Sequence, residues 1–159
     1  MKKPLTPAEA LNKAAAYCTL CERCTSEVMS KLIQWRIEPF EQVKIIERLQ
    51  QEGFIDEERY CRAFVNDKVR FNRWGRIKIT ASLREKKLPA DTIYSSVNDI
   101  DTEQYMQSLI EVIENKRREL KGKNDIASQQ KIIRHAVSRG FEPALVIKCI
   151  KYKGDEMDF

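Results

Sequence analysis

A proline-marked turn recurs three times in this chain, each time between two helical runs. Ile37-Glu38-Pro39-Phe40, Leu88-Pro89-Ala90-Asp91 and Phe141-Glu142-Pro143-Ala144 carry it, and the apolar residues Ile37, Leu88 and Phe141 stand 51 and 53 positions apart. Proline fits the first turn of a helix, where its missing N–H would have no partner. A second apolar residue follows each proline at plus four: Val43, Ile93 and Ile147. Such punctuation at a nearly fixed period predicts tandem units rather than one irregular bundle.

The intervening sequence predicts helices. Thr6-Pro7-Ala8-Glu9 reads as a capping box with proline at the first helical position. Thr25 or Ser26 is expected to cap a second helix, with Val28, Met29, Leu32, Ile33 and Trp35 on its apolar side. Pro39 opens a third, where Phe40, Val43, Ile46 and Leu49 recur every three residues before Gly53 ends it. Asp56-Glu57-Glu58 suits the positive N-terminal end of the next helix. Asn72-Arg73-Trp74-Gly75 then breaks the rhythm, and Ile77-Lys78-Ile79-Thr80 reads as helix despite its alternation. Asp101 caps a long helix ending in Lys116-Arg117-Arg118, and Lys121-Gly122-Lys123-Asn124 is a loop. The last helix is expected to break at Lys153-Gly154, leaving Asp155-Glu156-Met157-Asp158-Phe159 as a frayed acidic end.

The expected fold is therefore all-α: three tandem three-helix repeats over residues 1–54, 55–100 and 101–159. Units that contact mainly their neighbours form an elongated, curved body. A monomer of this kind has a scattering radius above the roughly 15 Å of a compact chain of this length.

Charge is unevenly spread. Between Arg59 and Lys87 ten bases face two acids, so this stretch carries +8 while the remainder sums to −3. A basic middle suits a polyanionic or acidic partner. Around the central break, Gly75 frees the backbone, and Arg73 and Arg76 are expected to project on one edge alongside Arg70 and Lys78, with Arg84 and Lys87 further along. Guanidinium groups placed so make bidentate contacts with carboxylates or phosphates. Trp74 is expected to plug the gap between two helices.

Neither a signal-peptide core nor a membrane-length apolar run is present. The five cysteines read as reduced cytosolic thiols. Cys18, Cys21 and Cys24 are spaced as metal ligands often are. However, the ferredoxin pattern needs a further cysteine where Val28 stands, and Cys61 and Cys149 fall in other units. No metal or cofactor is expected. His135 is the only histidine, and Arg134 and Arg139 beside it disfavour its charged form rather than orient it as a base. With no phosphate-binding loop or nucleophile elbow, the chain is not expected to be an enzyme.

Ile55-Asp56-Glu57-Glu58-Arg59-Tyr60-Cys61-Arg62-Ala63-Phe64-Val65, followed by Trp74-Gly75 and by Ile79, Leu83 and Lys86-Lys87-Leu88, resembles the central signature of the RecX regulatory proteins. Ser26-Glu27-Val28 with Lys31-Leu32 resembles the first repeat of that family, and Arg139-Gly140-Phe141-Glu142 the turn of the third. Two departures are the cysteine-rich stretch before Ser26 and Cys61 in place of the usual alanine. The resemblance implies a helical protein that lies in the groove of the RecA–DNA filament and curbs filament growth, strand exchange and ATP hydrolysis. Arg70, Arg73, Arg76, Lys78, Arg84 and Lys87 are then the expected filament contacts. A stand-alone module binding single- or double-stranded DNA through the same basic middle is the alternative.

Overall fold

The computed structural model describes residues 3–156, with side chains through Lys151. Nine α-helices occupy the described residues: α1 Pro7–Leu20, α2 Thr25–Gln34, α3 Pro39–Gln51, α4 Glu57–Arg70, α5 Arg76–Glu85, α6 Ala90–Asn98, α7 Thr102–Glu119, α8 Ile126–Ser138 and α9 Pro143–Glu156. No strand occurs among them. They run as three helical triplets, and no described helix is long and apolar enough to cross a membrane.

The recurring turn has one backbone explanation. After α2, the N–H of Arg36 donates to the Ile33 carbonyl and that of Ile37 to the Leu32 carbonyl. Lys87 and Leu88 repeat this on Arg84 and Leu83, and Gly140 and Phe141 repeat it on Val137 and Ala136. These paired bonds are Schellman motifs, which satisfy the last carbonyls of a helix and press the following apolar residue onto its final turn. Ile37, Leu88 and Phe141 are accordingly buried, as are Leu32, Leu83 and Ala136 beneath them. The turning residue needs a left-handed backbone, which Gly140 adopts freely at φ 97° while Arg36 and Lys87 are held there at 60° and 62°.

Two expectations change as a result. Pro39 and Pro143 open α3 and α9, but Pro89 precedes α6 and its carbonyl accepts the first helical bond, from Ile93. The unit's phase is set by the buried turn residue, not by the proline. Counting from the proline therefore misplaces the core: Ile93 is buried, whereas Val43 and Ile147 are exposed. Counting from the turn residue, position plus nine gives Ile46, Val97 and Ile150, all buried. The three-residue recurrence likewise puts Phe40 on the core face, but it is 70% exposed, with the Lys44 ammonium 4.4 Å from its ring centroid. Ile33 and Ile77 also face solvent.

Helix starts follow the local chemistry. Thr6 and Glu9 form the expected capping box on α1. Asp56 accepts the Arg59 N–H, Asp101 the Gln104 N–H and Asp125 the Ser128 N–H. α2 begins one or two residues earlier than expected, with Cys24 rather than Thr25 or Ser26 as its N-cap and the Glu27 carboxylate accepting the Cys24 N–H at 3.1 Å. α9 continues through Gly154 to Glu156 instead of breaking there. The rest of the expected acidic end, Met157–Phe159, lies outside the described residues.

The chain divides into two compact units. Of the described residues, one unit holds those through Ala63 together with Leu83–Ile93, and the other holds Phe64–Ser82 and those from Tyr94 on. The first is centred on Ala10, Ala14, Val28, Leu32, Ile37, Ile45, Ile46, Leu49 and Ile55, with Trp35, Leu5 and Cys18 packed at its margin. In the second, Val69, Ile79, Tyr105, Leu109, Ile132, Phe141 and Val146 are almost wholly buried. Tyr105 and Phe141 stack with tilted rings 5.3 Å apart, a favoured aromatic geometry.

Candidate functional site

The break between α4 and α5, the expected basic contact, is closely built within the second unit. Arg73 takes a left-handed backbone, at φ 52°, and the Trp74 N–H reaches back to the Lys68 carbonyl. Gly75 then lies against the turn after α8. Its N–H donates to the Arg139 carbonyl at 2.8 Å, and the Ile77 N–H donates to the Gly140 carbonyl at 3.0 Å. A β-carbon on Gly75 would stand 2.2 Å from the carbonyl carbon of Gly140, so only glycine fits. Gly75 is not needed for conformational freedom, the expected role: its φ is ordinary, and what the site requires is space.

The N-terminus of α5 has donors that its own helix cannot satisfy. Alongside Ile77, the Arg76 N–H donates to the Tyr105 hydroxyl at 3.1 Å, and that hydroxyl donates to Glu142 at 2.9 Å. The Arg76 guanidinium lies 3.9 Å from the Tyr105 ring centroid and pairs with Glu142 at 3.4 Å. Burial raises the Tyr105 pKa, and the Glu142 carboxylate adds to the rise, so the hydroxyl stays protonated. Replacing Tyr105 with phenylalanine is expected to lower stability by about 1–2 kcal/mol, because the Arg76 N–H loses its acceptor. Chemical denaturation checks this, and an unchanged midpoint would count against the network.

The expected contact residues separate on this frame. Arg73 is turned onto Glu111, Nε to Oε2 2.6 Å, so neither it nor Arg76 projects as an unpaired cation. The Arg139 side chain bonds the Asn72 and Arg73 carbonyls and fastens the same loop. Lys78 and Lys68 place their ammonium groups 4.5 and 4.6 Å from the Trp74 ring centroid. Trp74 is half-buried, as a gap-filling ring would be. Arg70 is exposed at the end of α4, near the Phe71 ring. Arg84 and Lys87 are exposed as well, but they belong to the first unit. Of the next basic cluster, Lys116 and Arg117 pair with Glu119 and Glu114.

Tyr105, Glu111 and Glu142 were not singled out from the sequence as site residues. One signal existed for Tyr105, since a tyrosine on a core face needs a partner for its hydroxyl.

The cysteines take separate places. Cys24 is buried at the α2 cap with its thiol 3.3 Å from Glu27, Cys18 is half-buried and Cys21 is exposed. Burial raises the Cys18 and Cys24 pKa values, which keeps both as thiols. Burial alone would raise the pKa of Glu27. The Cys24 N–H and thiol, the Lys86 ammonium and the Tyr60 hydroxyl outweigh it and hold the carboxylate below its ordinary range. Among the described residues, no group of three or more His, Cys, Asp or Glu side chains is placed to hold a metal ion.

Comparison with known proteins places this arrangement. Residues 56–94 match the RecX second three-helix domain and residues 103–150 the RecX third three-helix domain. The chain belongs to the RecX family. A regulatory protein RecX of Lactobacillus johnsonii is 23% identical over 145 residues, 91% of this chain but 54% of its own length. The chain thus spans about half the length of that relative. The regulatory protein RecX of Prosthecochloris aestuarii is 26% identical over 134 residues, covering 84% of this chain and 86% of that protein. The fold matches a crystal structure of RecX from Lactobacillus salivarius with a TM-score of 0.82, at 18% identity and over 95% of this chain and 97% of that one. A second RecX crystal structure matches with a TM-score of 0.78, at 19% identity, over 91% of this chain and 73% of that one. Within the second unit, the Gly75–Gly140 contact joins the second and third RecX domains.

Proposed function

We propose that this chain is a non-enzymatic regulator that binds the RecA–DNA filament along its groove as a monomer. It would thereby inhibit filament growth, strand exchange and ATP hydrolysis, and so modulate recombination and repair. Membership of a family whose relatives are named regulatory proteins is the observation that carries this reading. Assembly of the cognate recombinase on single-stranded DNA, with and without this protein, tests it. Slower or shorter filaments are expected, and unchanged assembly would sink the reading.

The cations divide by role. Arg70 and Lys78 in one unit, and Arg84 and Lys87 in the other, are assigned as filament contacts. Arg73 and Arg76 act by holding the α4–α5 break in place through Glu111 and Glu142. Reversing Arg70 and Lys78 to glutamate is expected to weaken inhibition at least tenfold and to reduce its salt sensitivity, as loss of phosphate or carboxylate contacts requires. Undiminished inhibition by the folded variant would remove the assignment. The exposed Arg70, Arg84 and Lys87 also suit direct contact with DNA phosphates. Tight binding of that kind in the absence of recombinase, lost in the same variants, would favour a stand-alone DNA-binding module.

A further inference from the structure

The first repeat carries a groove that the basic middle does not involve. Lys3, Pro4, Leu5, Lys13, Gln34, Trp35 and Arg36 line about 940 Å³ of space between the segment leading into α1 and the end of α2. Three of these residues are cations and none is an acid, in a repeat that lies outside the chain's basic stretch. Trp35 supplies an aromatic wall. It is the C-cap of α2 and rests on the core of the first unit, with the Lys13 ammonium 4.7 Å from its ring centroid. Arg36 follows in the left-handed turn position, and its side chain is exposed. Among the described residues no carboxylate lies within ion-pairing distance of Lys3, Lys13 or Arg36, in contrast to Arg73 and Arg76.

We infer that this groove binds a short stretch of single-stranded nucleic acid. Cations tracking a backbone beside an aromatic ring are the recurring solution for such strands, with phosphates on the ammonium and guanidinium groups and a base on the ring. Lys13 sits where it can follow a phosphate off the ring as a base arrives. Pro4 and Leu5 give the rest of the base an apolar surface. A purely acidic peptide would satisfy the three charges but leave the Trp35 ring without a flat partner. The site shares no residue with the filament contacts assigned above, so either assignment can fail without the other.

The test uses the full chain with Trp74→Phe, which leaves Trp35 as the only indole. Titration with an oligothymidylate is expected to quench its emission to saturation. The pair Lys13→Gln and Arg36→Gly removes two charges, and glycine suits the left-handed backbone at position 36. Affinity should then fall at least tenfold near physiological salt, and the log–log salt slope should flatten by about 1.4, the value for two single-strand phosphate contacts. The same pair in the chain that keeps Trp74, followed by anisotropy of a labelled oligothymidylate, gives the slope independently of the fluorescence background. An unquenched Trp35, an unchanged slope, or an absence of binding would each overturn the assignment. Equal saturation and quenching by polyglutamate would overturn it too, in favour of an acidic peptide.

Discussion

Replacing Gly75 with alanine is expected to cost about 3–5 kcal/mol, the sum of overpacking and of buried amides losing their acceptors. The added β-carbon would meet backbone atoms of Gly140 and Phe141 at 2.2–2.3 Å, and backbone cannot swing aside as a side chain can. Separating the two segments breaks the bonds from the Gly75 and Ile77 N–H groups to the Arg139 and Gly140 carbonyls. For a chain of this length each kcal/mol lowers the melting temperature by roughly 2–4 °C, so a fall on the order of 10 °C is expected. Gly53→Ala is the control. Gly53 needs its positive φ of 79°, but a β-carbon there meets nothing within 4 Å, so only about 1 kcal/mol of backbone strain applies. Equal melting of the two variants would show that the close approach is absent.

That contrast marks what sequence reading reaches. Gly53, the capping box at Thr6 and the aspartate caps at Asp56 and Asp101 act on residues a few positions away, and local spacing predicts them. The nine-helix order and its division into triplets follow from such signals. The partner of Gly75 is Gly140, in another triplet, and no local pattern announces it. The same holds for the charges. Counting bases between Arg59 and Lys87 correctly finds a basic stretch, but it cannot show that Arg73 meets Glu111 on α7, or that Arg76 meets Glu142 just before α9. The misplaced Val43 and Ile147 have a further cause. Proline is a visible marker, yet the buried Schellman residue sets the phase, and the middle turn is one residue shorter between the two.

These pairings change the expected outcome of the double reversal Arg73→Glu and Arg76→Glu. As projecting contacts, the two arginines predict lost inhibition with an unchanged melting temperature. As internal partners, they predict a loss of about 3 kcal/mol. Each reversal removes an attraction and sets a new carboxylate against Glu111 or Glu142, at an exposure between surface pairs worth up to about 1 kcal/mol and buried ones worth about 3–5. The side chains are about one-third to two-fifths exposed on both sides, which places the loss between those limits. Lost inhibition in this variant therefore does not by itself identify a contact. Adding Glu111→Arg and Glu142→Arg returns both ion pairs with their charges exchanged. If Arg73 and Arg76 act through position alone, the fourfold variant recovers its inhibition together with its melting temperature, short only of what the Tyr105–Glu142 hydrogen bond contributes. Recovery of melting without recovery of inhibition would mean that the guanidinium groups themselves touch the filament.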